Sequence, residues 1–319
     1  MNRRLALIQA LVSLIALGAV IWWASHQDAP ELPSGGEAIG WLIASLVFYT
    51  VATLFRGERW HHILRITGIQ APRSDCYALT TVGYMGNNVL PARAGEALRV
   101  VLMSTRCEAS KRTLLGSVVA ERLLDAIALA SIFLIVVYGV LSSTVLPTDR
   151  PLLFGGLGVV LILLACLGVY VLRRHHVFER ARVWLRPLAD SPRALVSRQG
   201  ALLLAGTFVL WALEAAVYLS VARAVNLDIS GMGALYLVAL TNFFAALPAA
   251  PGSIGTFDAA VIFGSKAIGA SGSAAVSYLL TLRFVLYVPV TAVGFVVLIT
   301  RYGGWARLRD AVRLEASRA

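Results

Sequence analysis

Hydrophobic positions along the chain fall into long unbroken runs rather than the one-sided stripes of a soluble domain. Residues 5–25, 39–55, 113–141, 152–172, 201–222 and 273–300 are apolar almost throughout. About 20 such residues cross the hydrocarbon layer as a helix, so the pattern predicts six spanning helices. Two further apolar stretches are interrupted in the middle. Residues 76–104 break at Pro91-Ala92-Arg93-Ala94-Gly95, and residues 234–268 break at Pro248-Ala249-Ala250-Pro251-Gly252. The halves of each are too short to cross separately, so each stretch reads as a re-entrant helical hairpin. The expected fold is an all-α polytopic membrane protein, with six spanning helices plus two re-entrant hairpins in a single integral membrane domain, residues 1–319.

Both breaks follow the pattern Leu-Pro-Ala-x-x-Gly, from Leu90 to Gly95 and from Leu247 to Gly252. Proline removes an amide donor and glycine permits a sharp turn, which makes Pro91, Gly95, Pro248, Pro251 and Gly252 the hinge residues. Each hairpin follows a full helix and precedes a helix carrying an arginine at membrane depth, first Arg122 and then Arg283. Residues 39–141 therefore read as repeat 1 with hairpin 76–104, and residues 201–300 as repeat 2 with hairpin 234–268. With the N-terminus inside, the first hairpin opens to the cytoplasm and the second to the exterior. Inverted repeats with broken helices are a recurrent plan of membrane transporters.

Composition agrees with a membrane chain: 58% hydrophobic, 14% charged, mean hydropathy +0.76. The net charge of +11 comes almost wholly from arginine. Its placement at the ends of apolar runs reads as topology rather than nucleic-acid binding. A cytoplasmic N-terminus leaves only Arg150, Arg223 and Lys266 outside, with Arg93, Arg99, Arg122 and Arg283 at membrane depth. The rest of the 28 lysines and arginines then face the cytoplasm. That count includes Arg56 and Arg59, in what reads as a cytoplasmic loop with His61 and His62. The expected location is the cytoplasmic membrane, with both termini inside. The N-terminal run reads as a retained helix, because Trp22-Trp23 stand where a signal peptide has small cleavage-site residues. Residues 173–199 are strongly basic, with Phe178, Ala181, Trp184, Leu185 and Leu188 at helical spacing, as in a helix lying on the inner membrane surface. Trp22, Trp23, Trp41, Trp60 and Trp305 sit near expected membrane boundaries. Cys76, Cys107 and Cys166 are scattered and read as apolar fillers. His61-His62 and His175-His176 read as solvated loop residues. No metal and no cofactor are expected.

An ionisable group at membrane depth costs about 2.5–3.5 kcal/mol on insertion scales and is a functional candidate by default. The candidates come in pairable sets. Asn87, Asn88, Arg93, Glu96 and Arg99 surround the first hairpin. Glu121, Arg122 and Asp125 follow on the next helix, where Arg122 and Asp125 are three apart and can pair. Glu214, Asn242, Asp258 and Arg283 belong to the later half. The plain reading is that these charges neutralise one another and pin the helices together. The functional reading is a polar cavity between the repeats for an anionic group, with Arg93, Arg122 and Arg283 as phosphate donors. Asn87, Asn88, Glu96, Glu121, Asp125 and Asp258 complete the candidate substrate site.

Gly83-Tyr84-Met85-Gly86-Asn87-Asn88-Val89-Leu90-Pro91-Ala92-Arg93-Ala94-Gly95-Glu96, then Glu121-Arg122 with Asp125, then Leu247-Pro248-Ala249-Ala250-Pro251-Gly252-Ser253-Ile254-Gly255 together resemble the lysylphosphatidylglycerol synthase transmembrane, flippase-like family. The resemblance runs from the first helix to Arg301. In multidomain members this region is similar to a lipid flippase fused to a soluble aminoacyltransferase, and here the sequence ends soon after the last helix. The resemblance therefore implies lipid translocation and argues against lipid aminoacylation by this chain. The leading expectation is a transporter, not an enzyme, for an anionic or polyprenyl-phosphate lipid. One alternative is a polyprenyl diphosphate phosphatase, faintly suggested by Pro251-Gly252-Ser253, although Ile254-Gly255 stands where an arginine belongs. The other is a docking partner for a cytoplasmic glycosyltransferase, engaged through the basic segment. The sequence does not determine the oligomeric state.

Overall fold

The computed structural model describes residues 14–15, 17–90, 93–139, 195–246 and 250–304. The expected span 152–172, residues 173–194 of the basic segment, Cys166, Trp305, and the hinge residues Pro91 and Pro248 lie outside them. All regular structure among the described residues is helical. Residues 17–24 are helical and lead through an irregular stretch to α1, Gly36–Ile66. There follow α2 (Arg73–Val89), α3 (Gly95–Ser104) and α4 (Lys111–Gly139). The later half contains α5 (Arg198–Ala224), α6 (Gly231–Ala245), a short 3-10 turn at Pro251–Ser253, α7 (Thr256–Ala267) and α8 (Gly272–Tyr302).

Three of the described helices, α1, α5 and α8, are long and apolar enough to cross a membrane. They are apolar on the outside as well as the inside. Ile43, Val47, Val51 and Leu54 form an exposed stripe on α1, and Val288, Val293, Val296 and Ile299 do so on α8. Helices hydrophobic all round belong in lipid or in a deep core. Starts and stops follow local chemistry. Ser197, Ser230 and Ser271 accept bonds from the amides of Gly200, Gly233 and Ala274, which satisfies part of each first turn. Gly303, at φ +74°, ends α8 in the left-handed region.

Two helix pairs fold back on themselves where the apolar runs break. In α2–α3 the approach is close: a Cβ on Gly95 would stand 1.9 Å from the Gly83 carbonyl oxygen. In α6–α7, Gly264 lies against Leu237 and Leu240. Small residues of this kind let helices approach within membranes. The pairs meet near their breaks, where Gly252 lies close to the Asn88 carbonyl. Two apolar cores form. One gathers Trp211, Tyr218, Tyr236 and Tyr278 around α5–α8. The other gathers Trp60, Leu79, Met85 and Met103 around α2, α3 and the end of α1. α8 joins them, with Gly294 directly against Met85.

One boundary differs from the sequence expectation. The helix expected over residues 39–55 does not stop at Phe55 but continues to Ile66. Arg56 and Arg59, counted above as solvated loop charges, are 5% and 3% exposed. They stay helical and buried because Glu214, Asp125 and Thr207 receive their guanidinium groups. His61 and His62 accordingly lie on the helix rather than in a loop. Trp60 is no boundary residue either. It is fully buried and donates to Ser117 Oγ at 2.9 Å.

Candidate functional site

The first-half charges converge on a narrow cleft enclosed by α1, the α2–α3 pair and α4. Arg56, Arg59, Arg93, Arg99 and Arg122 line it with Glu96, Glu121, Asn87 and Thr80. Its volume is about 30 Å³, room for a water or two.

Buried ions survive only with partners, and most of these have one. Arg56 Nη2 donates to Glu214 Oε2 at 2.7 Å, a link from α1 to α5. Its guanidinium also lies between the Tyr84 and Trp211 rings, at 5.4 and 5.6 Å. Arg59 grips Asp125 with two bonds of 2.7 and 3.2 Å and donates to Thr207 at 3.1 Å. Glu121 stands 3.8 Å from Arg59 and pairs directly with Arg99, which lies 4.5 Å over the Trp60 ring. Arg122 is held more loosely, 3.6 Å from Glu96 and 3.4 Å from Asp125. Its side chain is 42% exposed.

Arg93 differs from the others. It makes no ion pair among the described residues, and it donates only to the Ala245 carbonyl oxygen, at 3.2 Å. Its backbone sits at φ +54°, a costly conformation for a residue with a side chain. It is exposed, at the break between α2 and α3. Glu96, Glu121, Asp125 and Glu214 balance Arg56, Arg59, Arg99 and Arg122, so the positive charge of Arg93 is left over. Several cleft atoms also lack partners. Arg56 Nη1, Arg59 Nε, Arg99 Nε, Thr80 Oγ1 and Asn87 Oδ1 are buried without a hydrogen bond among the described residues. α3 begins at the cleft with no side chain capping its first amides, and such a helix start favours an anion. Spare N–H donors, a spare positive charge and a helix start are together suited to an oxyanion.

Of the later-half candidates, Glu214 reaches this cleft through Arg56, while Arg283 and Asp258 do not line it. Arg283 pairs with Asp258 and donates to the Gly252 and Ser253 carbonyls at 3.2 and 3.5 Å. It lies over the Tyr287 and Phe257 rings. Asp258 accepts from the Gly255 amide at 2.8 Å, so Arg283 and Asp258 together fasten the second break. Asn88 bridges the halves, donating to Thr291 Oγ1 at 2.9 Å. The halves share a device: an acid in the first turn of the limb after the break pairs with an arginine on the next helix. Glu96–Arg122 and Asp258–Arg283 are the two instances. Gly252, at φ +66°, turns the second break.

The sequence model of a membrane-protein family described as the lysylphosphatidylglycerol synthase TM region matches residues 7–294. The chain belongs to this family. Three proteins are similar to this chain over part or most of its length. A "UPF0104 membrane protein" of Methanothermobacter thermautotrophicus is 22% identical over 90% of this chain and 93% of its own length. "UPF0104 membrane protein MJ1595" of Methanocaldococcus jannaschii is 22% identical over 81% of this chain and 84% of its own. "Glycosyltransferase AglD" of Haloferax volcanii is 28% identical over 44% of this chain but only 23% of its own. No solved structure matches the chain. With the long apolar helices, these matches establish a multi-pass membrane protein.

Sequence reasoning left Arg56 and Arg59 out of the candidate set. Two signals marked them. Arg56, Arg59, Trp60, Ile63 and Leu64 recur at helical spacing, so they share one face. Glu121, Asp125 and Glu214 also needed cations at membrane depth. No group of three or more metal-binding side chains occurs among the described residues.

Proposed function

We propose that the protein is a flippase-like transporter that moves a lipid with a phosphate-containing headgroup across the cytoplasmic membrane, binding the headgroup at the arginine cleft. The observation that carries this reading is the unbalanced cleft, where the Arg93 charge lacks a carboxylate and neighbouring guanidinium N–H groups lack acceptors. Phosphate oxygens match those donors in charge and geometry. At about 30 Å³ the cleft is closed to a headgroup, so binding requires the two breaks to part. In this reading α2–α3 and α6–α7 are re-entrant hairpins of opposite orientation, and rocking one repeat against the other opens the cleft to each side in turn. The lipid tails stay in the bilayer. The paired charges hold the repeats in register and the cleft binds without bond-breaking chemistry.

The test is leaflet accessibility of labelled lipids in proteoliposomes. Phosphatidylglycerol, its aminoacylated form and a polyprenyl phosphate are compared with a neutral diacylglycerol. Protein-dependent movement of a phosphate lipid, with none of diacylglycerol, supports the reading. Equal movement of all four, or of none, contradicts it.

The AglD match supports a second reading, in which the chain is a membrane docking partner for a cytoplasmic glycosyltransferase. Co-purification of a defined glycosyltransferase with the intact protein, without lipid movement, favours that role.

A further inference from the structure

A second cavity, of about 520 Å³, opens between the end of α1 and the start of α5. That volume lies in the range of small-ligand sites, roughly 300–1,000 Å³. Phe55, Ile66, Leu202 and Leu203 give it apolar walls, and Leu202 is 65% exposed. Its polar rim is His62, Arg65 and Gln199. Arg65 is exposed and makes no ion pair among the described residues. Glu58, the acid at this rim, is engaged by Arg73 at 2.7 Å and by the Tyr77 hydroxyl, so it does not cancel Arg65. The floor is Arg59, which also lines the arginine cleft. This side chain, clamped by Asp125 and Thr207, is thus common to the two cavities. Its Nε is buried and unpartnered.

We propose that this groove is the lateral entry port for the lipid, occupied by a membrane phospholipid with an anionic headgroup. The acyl chain lies along Phe55, Leu202 and Leu203. The phosphate sits at Arg65 and Gln199. Arg59 is the side chain the headgroup passes to reach the cleft. The inference rests on the transporter reading, and charge complementarity selects the occupant: an apolar trough continuous with the lipid-facing surface ends at an uncancelled cation. Gly206 keeps the trough open. A Cβ there would meet the Phe55 ring at 3.4 Å, an ordinary contact, so a side chain at this position starts beside Phe55 on the groove wall.

The test is photo-crosslinking of the purified protein in nanodiscs, using phosphatidylglycerol with a diazirine on its acyl chain and peptide mapping of the adducts. Adducts are expected on residues 55–66 and 202–206. Gly206→Phe removes them while the unfolding midpoint stays at the wild-type value. Arg65→Gln weakens labelling about fivefold, as expected for loss of one basic contact to an anionic lipid, and leaves labelling by a phosphatidylcholine analogue unchanged. Unlabelled phosphatidylglycerol competes and soluble glycerol 3-phosphate does not. Adducts confined to other surfaces, labelling indifferent to Gly206→Phe, or competition by glycerol 3-phosphate equal to the lipid's each overturn the port. Lipid movement measured on the same proteins separates the two readings. Lost labelling with intact movement overturns the port and leaves the cleft. Intact labelling without movement of any lipid keeps the groove as a lipid site and overturns transport.

Discussion

Replacing Glu214 with leucine strands the Arg56 guanidinium between Tyr84 and Trp211 with no carboxylate. The two side chains are 6% and 9% exposed and 2.7 Å apart, so water can hydrate neither well. Removing one member of such a pair costs about 3–5 kcal/mol, because the surviving charge keeps its desolvation penalty. Arg56 already holds one unpartnered donor, Nη1, so losing the carboxylate deepens an existing shortage of acceptors. Glu214→Gln retains an oxygen at the same place and costs less, on the order of the 1.5–3 kcal/mol of a charged hydrogen bond. Removing both charges in Arg56→Met with Glu214→Leu recovers most of the loss, since apolar replacement of a buried pair is often neutral. The assay is reversible unfolding of the four proteins at fixed lipid and detergent, conditions that matter because bound lipid shifts apparent stability. The reasoning fails if Glu214→Leu costs under about 1 kcal/mol, the scale of a solvated surface pair. It fails equally if the double variant is no better than the worse single one, which points to packing rather than charge.

Gly95→Ala drives a methyl into the Gly83 carbonyl and Asn87 amide. It should lower the unfolding midpoint and yield sharply, while Gly40→Ala, with nothing within 4 Å, should not. Arg283→Ala leaves Asp258 buried with only the Gly255 amide, a loss of about 3 kcal/mol. Hydrogen exchange should quicken across residues 250–267 and stay unchanged across α2 and α3; uniform quickening contradicts the local role. Cysteines replacing Asn88 and Thr291, in a background without other cysteines, tie the halves together where their side chains now share a 2.9 Å hydrogen bond. Oxidation should stop lipid movement and reduction restore it; movement that continues through a verified cross-link removes rocking from the mechanism.

Much of this fold is legible in the apolar runs. α1, α5 and α8 are continuous, and the two helix pairs break where Pro and Gly interrupt the pattern. Boundaries were harder where charge and apolarity mix. Arg56 and Arg59 follow an apolar run and look like the cytoplasmic end of a span. Only the carboxylates of α4 and α5, 60 to 160 residues away in sequence, explain why the helix continues through them. Pairing partners were partly readable: Arg122 with Asp125 follows from helical spacing, but Arg99 with Glu121 is a tertiary choice. Arg283 shared its residue type and depth with Arg93 and Arg122. Its three contacts to the second break, rather than its depth, set it apart from the cleft.

Arg93→Gln in proteoliposomes isolates the unbalanced charge. Arg93 is exposed and holds one hydrogen bond, to Ala245, so its loss should leave the unfolding midpoint in place. The rate of phosphate-lipid movement should fall about tenfold to a hundredfold, the equivalent of one charge-assisted hydrogen bond of roughly 1.5–3 kcal/mol. A folded Arg93→Gln protein that moves phosphate lipids at the wild-type rate contradicts headgroup binding at this cleft.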